Sequence, residues 1–221
     1  MQFGCTWERP QTSWEDTAKF AEAIFASLRA VHPTFNTWYH KANSRADANK
    51  PVDLSLAGMK EMVDQGLYRT DFGNEIMPTL GTKFAAWSPE TPERSIELKL
   101  NSAPEEVGTN FVRLKLIADL PSGELPFPPE VCTELLTELI KVTTPDRATL
   151  SCRAWQFALP HPAYSRSAGW LTYIPRSIDE AQLPEGATAQ ALLDGTLITA
   201  APQPEHVTQE TLNTIWELTQ V

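Results

Sequence analysis

Ile96, Leu98 and Leu100 alternate with Glu97 and Lys99, and Val112, Leu114 and Leu116 alternate with Arg113 and Lys115. A period of two puts every apolar side chain of a run on one side of an extended chain. Each run is therefore a strand with one face in a core and the other in water. The mostly polar stretch between them makes an antiparallel pair with a long connection the natural arrangement. Phe84 to Trp87 adds a strand ahead of the pair. The N-terminus repeats the pattern, with Phe3, Cys5 and Trp7 on one face and Gln2, Thr6 and Glu8 on the other.

Between the strands the period changes. Ser13 with Asp16 forms a capping box, and Ala21, Ile24, Phe25, Leu28 and Val31 follow at helical spacing. This predicts a helix from Trp14 to His32, ended with the help of Pro33. Leu56, Met59, Met62 and Val63 predict a short helix stopped by Gly66. A third helix starts at Pro128 and Pro129 after a proline-rich approach, with Val131, Leu135, Leu139 and Ile140 facing the core, and ends near Thr143. A closing helix runs from Thr208 and is anchored by Leu212, Ile215, Trp216 and Leu218.

Further strands are expected over 34–40, 149–159, 169–174 and 196–200, and a short helix over 188–193. Residues 41–53 and 67–82 read as loop and irregular structure. No strict alternation of parallel strand and crossover helix is present. The expected fold is one α+β domain spanning 1–221, a mixed or mainly antiparallel sheet with about four helices packed mainly on one face.

The formal net charge is −10, from 28 acidic and 18 basic residues. Phosphate binding needs a basic face, so nucleic acid is excluded as the direct partner, while a basic protein is favoured. The three cysteines, Cys5, Cys132 and Cys152, are odd in number and far apart, which argues against a disulfide framework or a cysteine zinc site. The N-terminus has no basic segment leading into an apolar one, and no apolar run reaches membrane-spanning length. The expected location is the cytoplasm, with no membrane partner.

Catalytic motifs are missing. The four histidines never pair at i, i+4, phosphate-binding glycine loops are absent, and no nucleophile elbow surrounds Ser165 or Ser167. No metal or cofactor is implied. A small hydrolase or transferase would have to use Cys152 with His161, oriented by Asp146. Two surface features stand out instead. Glu130, Glu134 and Glu138 recur every four residues opposite Val131, Leu135 and Leu139, a like-charge stripe that costs a few tenths of a kcal/mol per pair. Tyr164 and Arg166 combine two side-chain types favoured at binding hot spots in one loop.

The order of elements, with Gly169–Trp170 opening a strand that reads Gly-Trp-Leu-Thr-Tyr-Ile-Pro, and Leu-Leu-Asp-Gly-Thr-Leu-Ile-Thr-Ala ahead of Pro-Glu-His-Val and a closing helix, resembles the immunity protein 52 family of bacterial polymorphic toxin systems. The resemblance spans most of the chain. It implies an antitoxin, not an enzyme, that binds and silences a cognate toxin with a restriction-endonuclease-like fold, delivered by type VI secretion; the expected mechanism is steric occlusion of the toxin's active site. Glu130, Glu134, Glu138, Tyr164 and Arg166 are the candidate toxin contacts. A structural adaptor of the secretion apparatus is the other non-enzymatic reading.

Overall fold

The computed structural model describes residues 1–9, 13–41, 50–90, 92–103, 109–117, 125–152 and 168–220. Among them, nine strands form one sheet: β1 (Gln2–Trp7), β2 (Tyr39–His40), β3 (Thr82–Ser88), β4 (Glu93–Leu100), β5 (Asn110–Ile117), β6 (Arg147–Ser151), β7 (Leu171–Ile174), β8 (Thr188–Leu192) and β9 (Gly195–Thr199). Their order is β2-β3-β4-β5-β1-β6-β7-β9-β8. Every pairing between named strands is antiparallel. Among the described residues four α-helices accompany the sheet in an α+β fold: α1 (Trp14–Val31), α2 (Leu56–Gln65), α3 (Pro129–Thr143) and α4 (Gln209–Leu218).

Register turns the alternating runs into one continuous apolar face. Phe84, Leu98 and Val112 are aligned across β3, β4 and β5, and Val112 is opposite Cys5, which is opposite Ala148. Ala86, Ile96, Leu114, Phe3 and Leu150 form the next row. All of these residues are buried. Each large side chain taken out of water this way contributes about 1.5–3 kcal/mol.

Helices α1, α2 and α3 cover that face. Phe20 of α1 meets Trp7 edge-on at 5.6 Å between ring centroids. On α3, the buried Thr143 lies beside the Cys5 thiol and donates to the Leu139 carbonyl at 2.7 Å. Thr82 of β3 donates to the Val63 carbonyl at the end of α2, 2.8 Å away. Ser13 caps α1 as the sequence predicts, accepting from the Asp16 amide at 3.0 Å and donating to its carboxylate at 2.8 Å. The last helix, α4, meets the sheet from the other side, where Arg147, pointing away from the Ala148 face, stacks on Trp216 and donates to the Thr219 carbonyl at 3.0 Å.

Three local expectations change. Residues 34–40 are not one strand: Pro33–Asn36 is a 3-10 turn, and only Tyr39–His40 pairs with β3. The turn is held by the buried Arg94 side chain, which donates to the Thr34 carbonyl and to that of Thr37 at 3.2 Å. The helix expected over 188–193 is strand β8. It closes a hairpin on β9 through Leu193 and Asp194, with Leu193 at φ 52°. Six residues are too few to nucleate a helix alone, whereas a ladder along β9 satisfies the same backbone groups. The strand expected over 149–159 is observed as Arg147–Ser151, and its continuation from 153 lies outside the described residues.

Candidate interaction surface

Helix α3 is fixed by its buried row Cys132, Leu135, Leu136, Leu139 and Ile140. Pro129 at its first position supplies a preset φ where no amide partner is needed. This leaves Glu130 and Glu134 exposed and Glu138 half-exposed on the outer side. The three carboxylates span about 12 Å along the helix axis. Glu138 accepts from Lys141 at 2.6 Å, so its charge is compensated, and Glu130 sits in the first turn, where the helix dipole favours an anion. Among the described residues, Glu130 and Glu134 have no ion-pair partner. Tyr164, Arg166 and His161 lie outside the described residues.

The opposite face of β3, β4 and β5 has the reverse character. Lys83 is directly opposite Lys99, which is opposite Phe111; Glu97 is opposite Arg113; Ser95 is opposite Lys115. Four cations therefore share this face with two carboxylates, Glu93 and Glu97. Glu97 accepts from Lys83 at 2.8 Å and lies 3.9 Å from Arg113. The guanidinium of Arg113 stacks 4.0 Å from the centre of the Phe111 ring. Partial burial pushes the Glu97 carboxyl up, but Lys83, Arg113 and Lys115 more than offset this and hold it below the ordinary carboxylate range. Partial burial, and then the charge of Lys83, lower the Lys99 ammonium. A net charge of −10 hides this segregation, because period-two alternation is what gathers the cations on one side.

The Cys152–His161–Asp146 arrangement is not supported by geometry. Asp146 precedes β6 and Cys152 follows it, six residues away along an extended chain, or about 20 Å. A carboxylate at that distance cannot orient a base acting on the thiol. Asp146 instead accepts from the Glu8 amide at 2.8 Å and joins the ends of β1 and β6. Arg147, in the same polar cleft, is committed to Trp216 and Thr219. Among the described residues, no group of three or more His, Cys, Asp or Glu side chains is arranged to hold a metal ion. No helix there is long and apolar enough to cross a membrane.

Gly169 and Trp170 have packing roles. A Cβ at 169 would stand 2.1 Å from the Leu150 carbonyl oxygen. The Trp170 ring is buried, and its indole N–H donates to the Ala201 carbonyl at 2.8 Å.

The antiparallel sheet thus has one apolar face backed by helices and one cation-rich face on β3–β5, while the acidic stripe lies on the outer side of α3. The chain belongs to the Immunity protein 52 family, whose sequence profile matches residues 2–212. Membership implies a cognate toxin as the partner. Among solved structures, a Pseudomonas aeruginosa T6SS protein is similar at a TM-score of 0.55 and 11% sequence identity, over 99% of this chain and 73% of the other. At that identity the likeness is one of fold. No curated protein sequence matches the chain.

Proposed function

We propose that this chain is an antitoxin that binds a nuclease-like toxin delivered by type VI secretion and neutralises it in the cytoplasm by occluding its active site, without catalysing a reaction. The observation that carries the reading is the match to the Immunity protein 52 family over residues 2–212. The fold shared with a T6SS protein supports the delivery route. The exposed Glu130 and Glu134 on a rigidly packed helix support the mode of binding. Carboxylates held at fixed spacing can occupy the cationic groups that a nuclease cleft presents to phosphates, and they steer encounter with such a cleft. Glu138 extends the stripe, and Tyr164 and Arg166 are proposed as a second group of contacts.

The test is co-expression with the toxin encoded beside the chain's own gene. Copurification and loss of nuclease activity in the complex are expected, over an interface of roughly 1,200–2,000 Å². Replacing Glu130, Glu134 and Glu138 together by lysine should weaken binding and release the activity. Undiminished nuclease activity with the wild-type chain bound would refute occlusion.

A further inference from the structure

Phe72 is 93% exposed. Ile76 and Met77, at 42% and 36%, belong to the same short segment, so three of the four large exposed hydrophobics among the described residues stand on one hairpin. Isolated exposed apolar residues are ordinary, but three within six residues of one hairpin, with an almost fully exposed aromatic at its turn and the other two on its returning arm, mark an interaction surface.

The hairpin is built to hold its shape. The Met77 amide donates to the Tyr68 carbonyl and the Thr70 amide to the Glu75 carbonyl, each at 2.9 Å. Inside the turn the Thr70 hydroxyl donates to the Phe72 carbonyl at 2.6 Å and accepts from the Glu75 amide at 3.1 Å. Gly73 and Asn74 take φ of 86° and 55°, the left-handed backbone that reverses the chain directly after Phe72. At the base, Leu67 bridges Thr82 at the start of β3, and Arg69 pairs with Asp64 of α2 at 3.4 Å. A partner would meet an apolar knob that is already ordered, so little entropy is lost on docking.

The charge around the knob indicates what fits it. Arg69 is paired with Asp64, leaving Asp71 and Glu75 exposed on either side of Phe72. An apolar pocket rimmed by basic side chains complements this arrangement. A second copy of a chain with a net charge of −10 is a poorer match.

We propose that hairpin 68–77 is a preformed anchor that inserts Phe72 into an apolar, basic-rimmed pocket of the cognate toxin. The proposal rests on the reading of the chain as a toxin-binding protein and adds a surface separate from the α3 stripe. Helices α2 and α3 flank α1 on either side, so the two surfaces can be tested independently.

The experiment measures Kd between the full chain and a catalytically inactive form of the toxin encoded beside its gene, for wild type, Phe72→Ala and Phe72→Asp. Both variants are expected to keep the wild-type circular dichroism and Tm, because the side chain touches almost nothing, and to bind about 30-fold more weakly or worse. A photo-crosslinking phenylalanine analogue at position 72 should attach to the toxin. Tight wild-type binding with unchanged Kd in both variants would overturn the anchor and leave the antitoxin reading standing. Failure of the wild-type chain to bind would remove both. A self-association that Phe72→Ala abolishes, with toxin binding unaffected, would overturn the proposal by assigning the knob to a second copy of the chain.

Discussion

The guanidinium carbon of Arg94 lies 5.4 Å from the centre of the Trp38 ring, with the Arg94 side chain wholly inside the protein. The same group is 5.7 Å from the Phe35 ring and donates to the carbonyls of Thr34, Thr37, Glu90 and Pro92 and to the Glu90 carboxylate. A charge in a core is tolerated when most of its donors are met, and here main-chain carbonyls and the Glu90 carboxylate meet those of the two terminal nitrogens, while the Nε–H has no hydrogen-bond partner among the described residues. Arg94→Met removes the donors and leaves several carbonyls unpaired. Urea unfolding should show a loss of about 3 kcal/mol.

Burial pushes both the Cys5 and Cys132 thiols up to about 12 from an ordinary value of 9.0. The unfolded chain therefore releases these protons first as pH rises. Their contribution to stability is complete below about pH 9 and is lost between about pH 9 and pH 12. At about pH 10 the two together should have cost roughly 3 kcal/mol relative to about pH 8. Lys99, whose lowered value acts in the opposite sense, stays in place when both cysteines are replaced by alanine. Comparing unfolding of that double variant with wild type across the range isolates the thiol contribution, and the variant should show a clearly shallower decline.

Glu97 is the carboxylate in contact with Lys83 and Arg113 on the basic face. Glu97→Gln leaves the cations of that face less compensated. Stability should fall by about 1 kcal/mol at low ionic strength, and the loss should shrink in about 1 M salt. Because the carboxyl titrates below its ordinary value, its contribution is present above that value and disappears on acidification through the folded one. The variant should therefore converge with wild type in acid.

Gly169 has no space for a side chain beside the Leu150 carbonyl. Gly169→Ala should push β7 from β6 and lower stability by about 2 kcal/mol. Thermal unfolding of the purified variant checks it, and an unchanged Tm would mean that the two strands separate without cost.

The helices and the central strands were legible because their periods are long and unbroken. The apolar spacing of α1 and the alternation of β4 and β5 each repeat one rule often enough to exclude the other. Short segments were not. Ala191 and Leu192 suggest a helix, and only the presence of β9 alongside makes them a strand. Arg94 continues the alternating run on the side of Ile96, yet no local signal marks it as buried, because its acceptors are up to 60 residues away in sequence. Phe72 falls within residues 67–82, which carry no period, and exposure of an aromatic cannot be read from its neighbours in the chain. The α3 stripe was visible, because i, i+4 spacing alone places three glutamates together.

By itself, the order of residues decided what depends on near neighbours: the periods of helix and strand, the Ser13 cap, the helix stop at Gly66 and the total charge. Tertiary structure decided what depends on distant partners. Strand register gathered Lys83, Lys99, Arg113 and Lys115 on one face of an acidic protein, and the packing of the whole chain left Phe72 standing in solvent. The reason is range: backbone torsion and hydrogen-bond period act over a few residues, whereas burial and charge segregation are set by which strands come to lie side by side.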